Sequence, residues 1–438
     1  MATNAYRYAE YLKALTKPFK KLAKLEFLQP DNSVAFSLDN NYKRGYMTKY
    51  DTRAFIQSGT LNVSLHNGAR RQATVELSNI DGAFDYNVNK LWFGQQVRLS
   101  MGLVLPDGTD FYLPQGVFYL ENPKKSISPT ARTITYNLTD KWAYLDGSLF
   151  GTLETTYQIP MYTGSERTDI FKAMADVLHL SRMDFSSNEE DITKQIDNVL
   201  PTFTTFYNNR SYQVVNGPDT LMTQLPYDIT VSPDNGTLAT ILLELNTIIA
   251  GWIGYDQTGA LRVEPSQDDI SDTDKPIIWA FTPQNSILCG IEEIVNNKDV
   301  YNDVIIVGEG MNDGEVYGRA SNFDPRSDTN INIIGRKTYR EQKAEYWNAE
   351  QCVDLAKFYL KRKTVLQKSI TIESSQLFHL LENRLVSVQR TDKEESPVEK
   401  HLIESFSLPI GETGTMSITA TSINDFPNFT ITSSQELN

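Results

Sequence analysis

The sequence predicts a mainly β protein with added α+β elements: two β-rich domains, the first a barrel or sandwich and the second a small barrel or curled sheet, flank a helix and β-hairpin module, behind an amphipathic N-terminal helix. Three observations predict it. Short runs near both ends of the chain alternate apolar with polar residues and are separated by turn residues, the pattern of half-buried strands. Two stretches between them carry apolar residues at three- and four-residue steps, as helices do. In residues 348–423, a stripe of Cys352, Leu355, Ala356, Tyr359 and Leu360 leads into several short strands. A helix stripe beside such strands reads as a small barrel or curled sheet with a helix packed across it.

Residues 1–22 form the predicted N-terminal helix. Tyr8, Leu12, Leu15, Phe19 and Leu22 share one face, while Lys13, Lys17, Lys20 and Lys21 lie on others. Pro18 breaks or kinks it, with Thr16 as a new N-cap. A basic amphipathic helix either binds a membrane or docks on protein. Its short basic segment and the lack of a lipidation motif favour docking, on its own domain or a neighbouring subunit. Tyr8, Leu12, Leu15 and Phe19 are therefore the candidate subunit-contact face.

Residues 23–146 are the first predicted β domain, a barrel or sandwich. Two strands, 23–29 and 33–38, flank the turn Pro30-Asp31-Asn32. Leu61, Val63 and Leu65 alternate before Asn67-Gly68, and Ala73, Val75 and Leu77 alternate after it, which is a second hairpin. Runs 97–104 and 111–113 flank Pro106-Asp107-Gly108-Thr109, and two more strands follow at 116–120 and 133–138.

Residues 147–282 change character. Ser165 is placed to cap a helix carrying Ile170, Phe171, Met174, Val177 and Leu178. A polar stretch follows over 186–220. Thr237 caps a second helix with Leu238, Ile241, Leu242, Leu245, Ile248 and Ile249, ending at Gly251 as C′ residue. Two short strands around Asp256-Gln257-Thr258-Gly259 complete an α+β module, and 268–274 is its exit loop.

Residues 283–431 are the second predicted β domain with its packed helix, and 432–438 a tail. A strand through Val300, Val304, Ile305 and Val307 precedes Gly308, Asn312-Asp313-Gly314 is a turn, and 321–332 is a long loop. Asn348 as N-cap, with Gln351 in the capping-box position, opens the helix that Lys361, Arg362 and Lys363 close. Strands then run through Ile370 and Ile372, through Val386 and Val388, through Phe406 and Leu408, and through Met416, Ile418 and Ala420.

Composition narrows the function. With 438 residues the chain has room for roughly three domains of ~150 residues. No apolar run approaches the ~20 residues of a spanning helix, so stable membrane insertion is not expected. The 41 basic against 55 acidic residues give a net charge of −14, which repels nucleic acid over most of the surface. Cys289 and Cys352, the two cysteines, read as buried thiols of a reducing compartment.

No nucleophile elbow, zinc-protease helix, phosphate-binding loop or dinucleotide turn occurs. His66, His179, His379 and His401 have no metal-ligand spacing among themselves or with cysteine. Glu189-Glu190-Asp191 and Asp268-Asp269 sit in polar loops as solvated faces, and the Asp256 and Asp313 turns fit hairpins better than calcium loops. No catalytic, cofactor-binding or metal-binding residues are therefore assigned, and no cofactor is expected.

Several segments resemble the tail baseplate hub proteins of phages and related injection machines. Asn302-Asp303-Val304-Ile305-Ile306-Val307-Gly308 is similar to their N-x-V-x-V-x-G strand. The helix with Asn348, Ala349, Gln351 and Ala356-Lys357-Phe358-Tyr359-Leu360, the following strand, and the segment around Leu385, Val386 and Val388 follow in the same order, although the Gly-Asp of many relatives is absent before Leu385. The helix and hairpin of 237–265 resemble the middle module of these hubs. Ser327-Asp328-Thr329-Asn330-Ile331 and Gly335-Arg336 resemble an uncharacterised-domain family of phages of Gram-positive bacteria.

The resemblance marks Asn302, Val304, Gly308, Asn348, Leu360 and Val386 as structural motif residues. It implies two tube-like β-barrel domains per chain, over 23–146 and 283–431, and a homotrimer in which three copies of two barrels make six units, matching a hexameric tail tube. It further implies a tail-tip structural part in the virion, made in the host bacterial cytoplasm. Its implied partners are the tail tube or distal tail protein, the tape-measure protein and a spike, fibre or other baseplate protein, with DNA only in transit through the lumen. A tail-tip cell-wall hydrolase and a receptor- or carbohydrate-binding β module are the alternatives, resting on the carboxylates and on the 11% aromatic content.

Overall fold

The computed structural model of the chain describes residues 2–29, 32–40, 56–79, 82, 84–85, 95–180, 224–225, 227–234, 236–248, 251–265, 277–282, 288–296, 300–309, 314–343, 346, 349–364, 367–389, 398–411, 413–422 and 429–433. The expected loops at 186–220 and 268–274, the turn residues Pro30, Asp31 and Asp313, and Asn348 lie outside these residues, as does the Cys289 side chain.

Helix α1 covers Ala2–Ala14 and stops earlier than the sequence predicts. The Thr16 hydroxyl donates to the Lys13 carbonyl at 2.9 Å, so it finishes α1 instead of capping a second helix. Leu22 is then a strand residue. Strand β1 (Lys21–Leu28) pairs with β2 (Val34–Asp39), the predicted first hairpin. β3 (Ile56–Ser64) and β4 (Arg71–Ser78) are the second, with Leu61 opposite Ala73. β5 (Gln96–Val104) pairs with β6 (Asp110–Ile127), and β6 with β7 (Arg132–Asp140). The two runs at 111–113 and 116–120 are one strand, β6. Pro114 sits in it at a register shift, where a missing N–H is tolerated.

The middle module holds three short strands, β8 (Tyr157–Ile159), β9 (Tyr162–Thr163) and β10 (Glu166–Arg167), before helix α2 (Ile170–Leu180). Asp169, not Ser165, caps α2: its Oδ1 accepts from the Lys172 N–H at 2.9 Å. β11 (Ile229–Val231) pairs back with β8. Helix α3 (Leu238–Ile248) starts after Thr237, as expected, and the Thr240 N–H points at the Thr237 hydroxyl at 3.4 Å. Gly251 opens strand β12 (Gly251–Tyr255), which pairs with β13 (Leu261–Pro265). The predicted apolar faces of α2 and α3 meet Ile253, Leu261 and Val263 in one core, which Trp142 and Leu145 also enter. Burial of each such side chain stabilises by about 1.5–3 kcal/mol.

The C-terminal part divides into two layers. β14 (Ile277–Phe281), β15 (Leu288–Asn296), β19 (Gln367–Ser374), β20 (Leu385–Gln389), β21 (Val398–Pro409) and β22 (Met416–Ser422) belong to the large sheet. β16 (Asp303–Gly308), β17 (Val316–Asn322), β18 (Thr338–Lys343) and β23 (Phe429–Ser433) form a separate four-stranded sheet, with a short helix α4 (Ile331–Ile334) in the loop between β17 and β18. Helix α5 (Ala349–Lys363) lies across it. Cys352, Ala356 and Leu360 of the predicted stripe pack on Val304, Ile306 and Ala320.

The two β-rich ends are hydrogen-bonded to each other. β21 pairs antiparallel with β3, with Phe406 opposite Val63 and Leu408 opposite Leu61. A single 13-stranded sheet results, running β15-β19-β22-β21-β3-β4-β7-β6-β5-β1-β2, with β14 and β20 branching at β21. One apolar core underlies both halves and includes Leu61, Val75 and Phe118 with Phe378, Val386, Phe406 and Ile418.

Candidate functional site

A buried polar spine runs along the seam. Arg71 opens β4 and is fully buried. Its Nη2 donates to Glu382 Oε2 at 2.5 Å and its Nη1 to the Gln115 carbonyl at 2.8 Å. Gln115 Nε2 donates in turn to the Phe378 carbonyl at 2.8 Å. A buried ion pair offsets its desolvation only when further hydrogen bonds support it; here Nη1 and Nη2 are both engaged, while the buried Nε has no partner among the described residues. Asp140 anchors the same strand end. Its Oδ2 accepts from the Arg70 and Arg71 N–H groups at 2.8 and 3.0 Å, and its Oδ1 from Trp142 at 3.0 Å. Burial pushes the Asp140 carboxyl up to about 6, against the pull of those three N–H groups and of Arg71.

Helix α1 bridges both halves. Arg7 Nη2 donates to the Asp110 carbonyl at 2.6 Å, on the first half. The Tyr11 hydroxyl lies 3.0 Å from His379 Nδ1 and accepts from the Phe378 N–H at 3.1 Å, on the second. Tyr8, Tyr11 and Trp279 surround the His379 ring with centroids 6.4, 5.7 and 5.1 Å away. Burial among them pushes this imidazole down to about 4, so it is neutral at pH 7.

The candidate contact residues, in α1 and in the segment just after it, thus pack first on their own chain. Leu15 is 2% exposed, Leu12 and Phe19 are half-buried against the shared core, and Phe19 meets Phe378 edge-on at 6.3 Å. Tyr8 keeps 38% of its surface, beside Tyr6 at 67%.

The motif residues converge elsewhere. Asn302 Nδ2 donates to the Thr329 and Gly335 carbonyls at 3.0 and 2.7 Å, and its Oδ1 accepts from the Lys337 N–H at 2.7 Å. One side chain therefore joins the Asn302 strand to both later motifs. Val304 and Leu360 meet in the core under α5. A Cβ on Gly308 would overlap the Tyr346 carbonyl, which explains the glycine. Val386 instead lies in the core of the large sheet, and Asn348 is outside the described residues.

Two important residues escape sequence reasoning. Fully buried Asp303 accepts from Arg319 Nε and Nη2 at 2.8 and 2.9 Å, Ser321 at 2.6 Å, Thr338 at 2.7 Å and Arg336 Nη1 at 3.2 Å. The Asn322 Nδ2, with two hydrogens to donate, lies 2.8, 3.1 and 2.7 Å from the Ser327, Thr329 and Thr364 hydroxyls. The one available signal was an aspartate beginning an otherwise apolar strand.

Such a site holds backbone segments together. Among the described residues no cluster of three His, Cys, Asp or Glu is placed to hold a metal ion, and no helix is long and apolar enough to cross a membrane. Burial pushes the Cys352 thiol up to about 12, which suppresses its thiolate.

No family model matches this sequence, and no curated protein matches it significantly. Solved structures do. A tail protein from Neisseria meningitidis MC58 superposes with a TM-score of 0.55 at 9% identity, over 93% of this chain and 97% of that one. The 43 kDa tail protein of prophage MuSo2 from Shewanella oneidensis gives 0.51 at 11% identity, over 92% and 98%. The chain has a tail-protein fold. Both matches take in nearly the full length of either chain. At such identities it is the backbone arrangement that is shared.

Proposed function

We propose that this chain is a structural hub protein of a phage tail tip or baseplate, without catalytic activity. Three copies form a ring that continues the tail tube and connects it to a spike or fibre and the surrounding baseplate. The observation that carries this reading is the fusion of two β halves into one sheet, locked by the Arg71–Glu382 spine and strapped by α1. A threefold ring of such two-part subunits presents six β units to a sixfold tube.

The sheet ends support assembly. Among the described residues, β2 and β15 each pair on one side only. An open strand edge is a template for another chain. β15 also exposes Ile291 and Ile294, at 37% and 55%. Partners fitting this role are the tube or distal tail protein, the tape-measure protein and the spike, with DNA passing through the lumen. The net charge of −14 suits passage without adsorption. The virion tail is the corresponding location, after synthesis in the host cytoplasm.

Mass photometry and electron cryo-microscopy of the purified chain, alone and in tails, test this. The expected particle has three times the chain mass and a central bore coaxial with the tube. A strictly monomeric species at high concentration, absent from the tail axis, overturns the proposal.

A further inference from the structure

A cleft of ≈ 250 Å³ opens where three parts of the chain meet. Arg70 enters from the connection between β3 and β4, Asp256 and Arg262 from the β12–β13 hairpin, and Glu382 and Arg384 from the segment before β20. Arginines outnumber carboxylates here, although acidic residues exceed basic ones by 55 to 41 over the whole chain.

Both carboxylates are already engaged. Glu382 accepts from Arg71, which stands behind the cleft wall. Asp256 Oδ1 accepts from the Thr258 N–H at 2.8 Å, the Thr258 hydroxyl at 2.6 Å and the Ala260 N–H at 3.1 Å, while its Oδ2 accepts from Arg262 Nε at 2.8 Å. The lining itself has three guanidinium groups to two carboxylates, an excess of one positive charge, and Arg71 behind it is matched by Asp140. Arg70 is held in place: it is 4% exposed, its Nε donates to the His66 carbonyl at 3.1 Å, and it crosses Gly254, where a Cβ would overlap the guanidinium.

Guanidinium groups bind oxyanions through paired N–H donors, and a positive excess within a partly enclosed cleft strengthens that attraction. We propose that this cleft binds a small oxyanion bearing phosphate or carboxylate groups. The anion ties the middle module to both β halves, because its arginines come from all three.

The test is calorimetric titration of the full chain with inorganic phosphate and with citrate, each against sodium chloride at equal ionic strength. One saturable site per chain is expected, and the anion that saturates first separates the phosphate source from the carboxylate source. Arg262→Gln and Arg384→Gln should each weaken binding at least tenfold, whereas Lys337→Gln, on the separate sheet layer, should leave it unchanged. Wild-type titration showing no saturable binding beyond chloride overturns the proposal, even if neither variant folds. Equal affinity in folded variants and wild type also overturns it.

Discussion

Arg71 and Glu382 form a buried ion pair across 311 residues of sequence, with Nη2 and Oε2 2.5 Å apart. Their side chains are 1% and 7% exposed. Removal of one partner leaves the other charged and buried, which costs about 3–5 kcal/mol. Arg71→Ala and Glu382→Ala should each lower unfolding free energy by that amount in urea. The double change Arg71→Met with Glu382→Leu should recover most of it, because no charge is then stranded. A loss in the double variant equal to the sum of the two single losses would show that the pair is not what joins the halves.

Tyr11 strengthens the same seam through one hydroxyl. Tyr11→Phe leaves the Phe378 N–H and His379 Nδ1 without that oxygen, at a cost of about 1–3 kcal/mol. Hydrogen exchange should report it locally, with faster exchange at Phe378 and little change at Val75 in β4. Uniform acceleration over the whole sheet would refute a local strap.

Asp140 and His379 give opposing pH dependences. The folded carboxyl of Asp140 titrates near 6, above its ordinary value of 3.8, so its contribution is fully present below pH 3.8 and is lost as pH rises through 6. His379 titrates near 4 in the fold, below its ordinary 6.5, so its contribution is present above 6.5 and is lost as pH falls through 4. Each amounts to about 3 kcal/mol, and over pH 4–6 they largely cancel. Melting temperature should be nearly flat there in the wild type. His379→Leu should become more stable as pH falls from 6 to 4, and Asp140→Asn less stable. Parallel profiles for all three proteins would remove both assignments.

The sequence showed what is local and missed what is distant. Leu61, Val63, Ala73 and Val75 alternate visibly, so the β3–β4 hairpin is legible, although the Asn67-Gly68 expected to turn it bonds to Ile253 of the middle module within a connection spanning 65–70. Thr237 and the α3 stripe are equally local. The pairing of Phe406 with Val63 is not, because alternation fixes which face is buried and not which strand lies alongside. The spacing of Leu22 from Leu15 and Phe19 fits a helix, but it follows Pro18 and pairs opposite Gly102 as a strand residue of β1. The site shows the same limit: Asn302 was visible as a motif residue, but its hydrogen bonds to Thr329 and Gly335 depend on a loop closing back on it.

Asn302 carries the next prediction. Asn302→Ala removes three hydrogen bonds and strands the Thr329 and Gly335 carbonyls and the Lys337 N–H, at a cost of about 2–4 kcal/mol. Limited proteolysis should then cut within 323–336 well before the 13-stranded sheet unfolds. Protection equal to wild type would mean that the loop is held by Asp303 and Asn322 alone.

Ile294 on β15 tests the assembly itself. It is 55% exposed on a strand that pairs with β19 and with no other described strand. A lysine there should obstruct pairing with another chain while leaving the fold intact, since the side chain already faces water. Ile294→Lys is therefore expected to keep the wild-type melting temperature within about 1 kcal/mol of stability. In mass photometry it should nonetheless shift the particle from three chain masses to one, and tails carrying it should lack a closed tip ring. A variant that still forms wild-type trimers would place the subunit contact away from this edge and leave β2 and the exposed Tyr6–Tyr8 end of α1 to supply it.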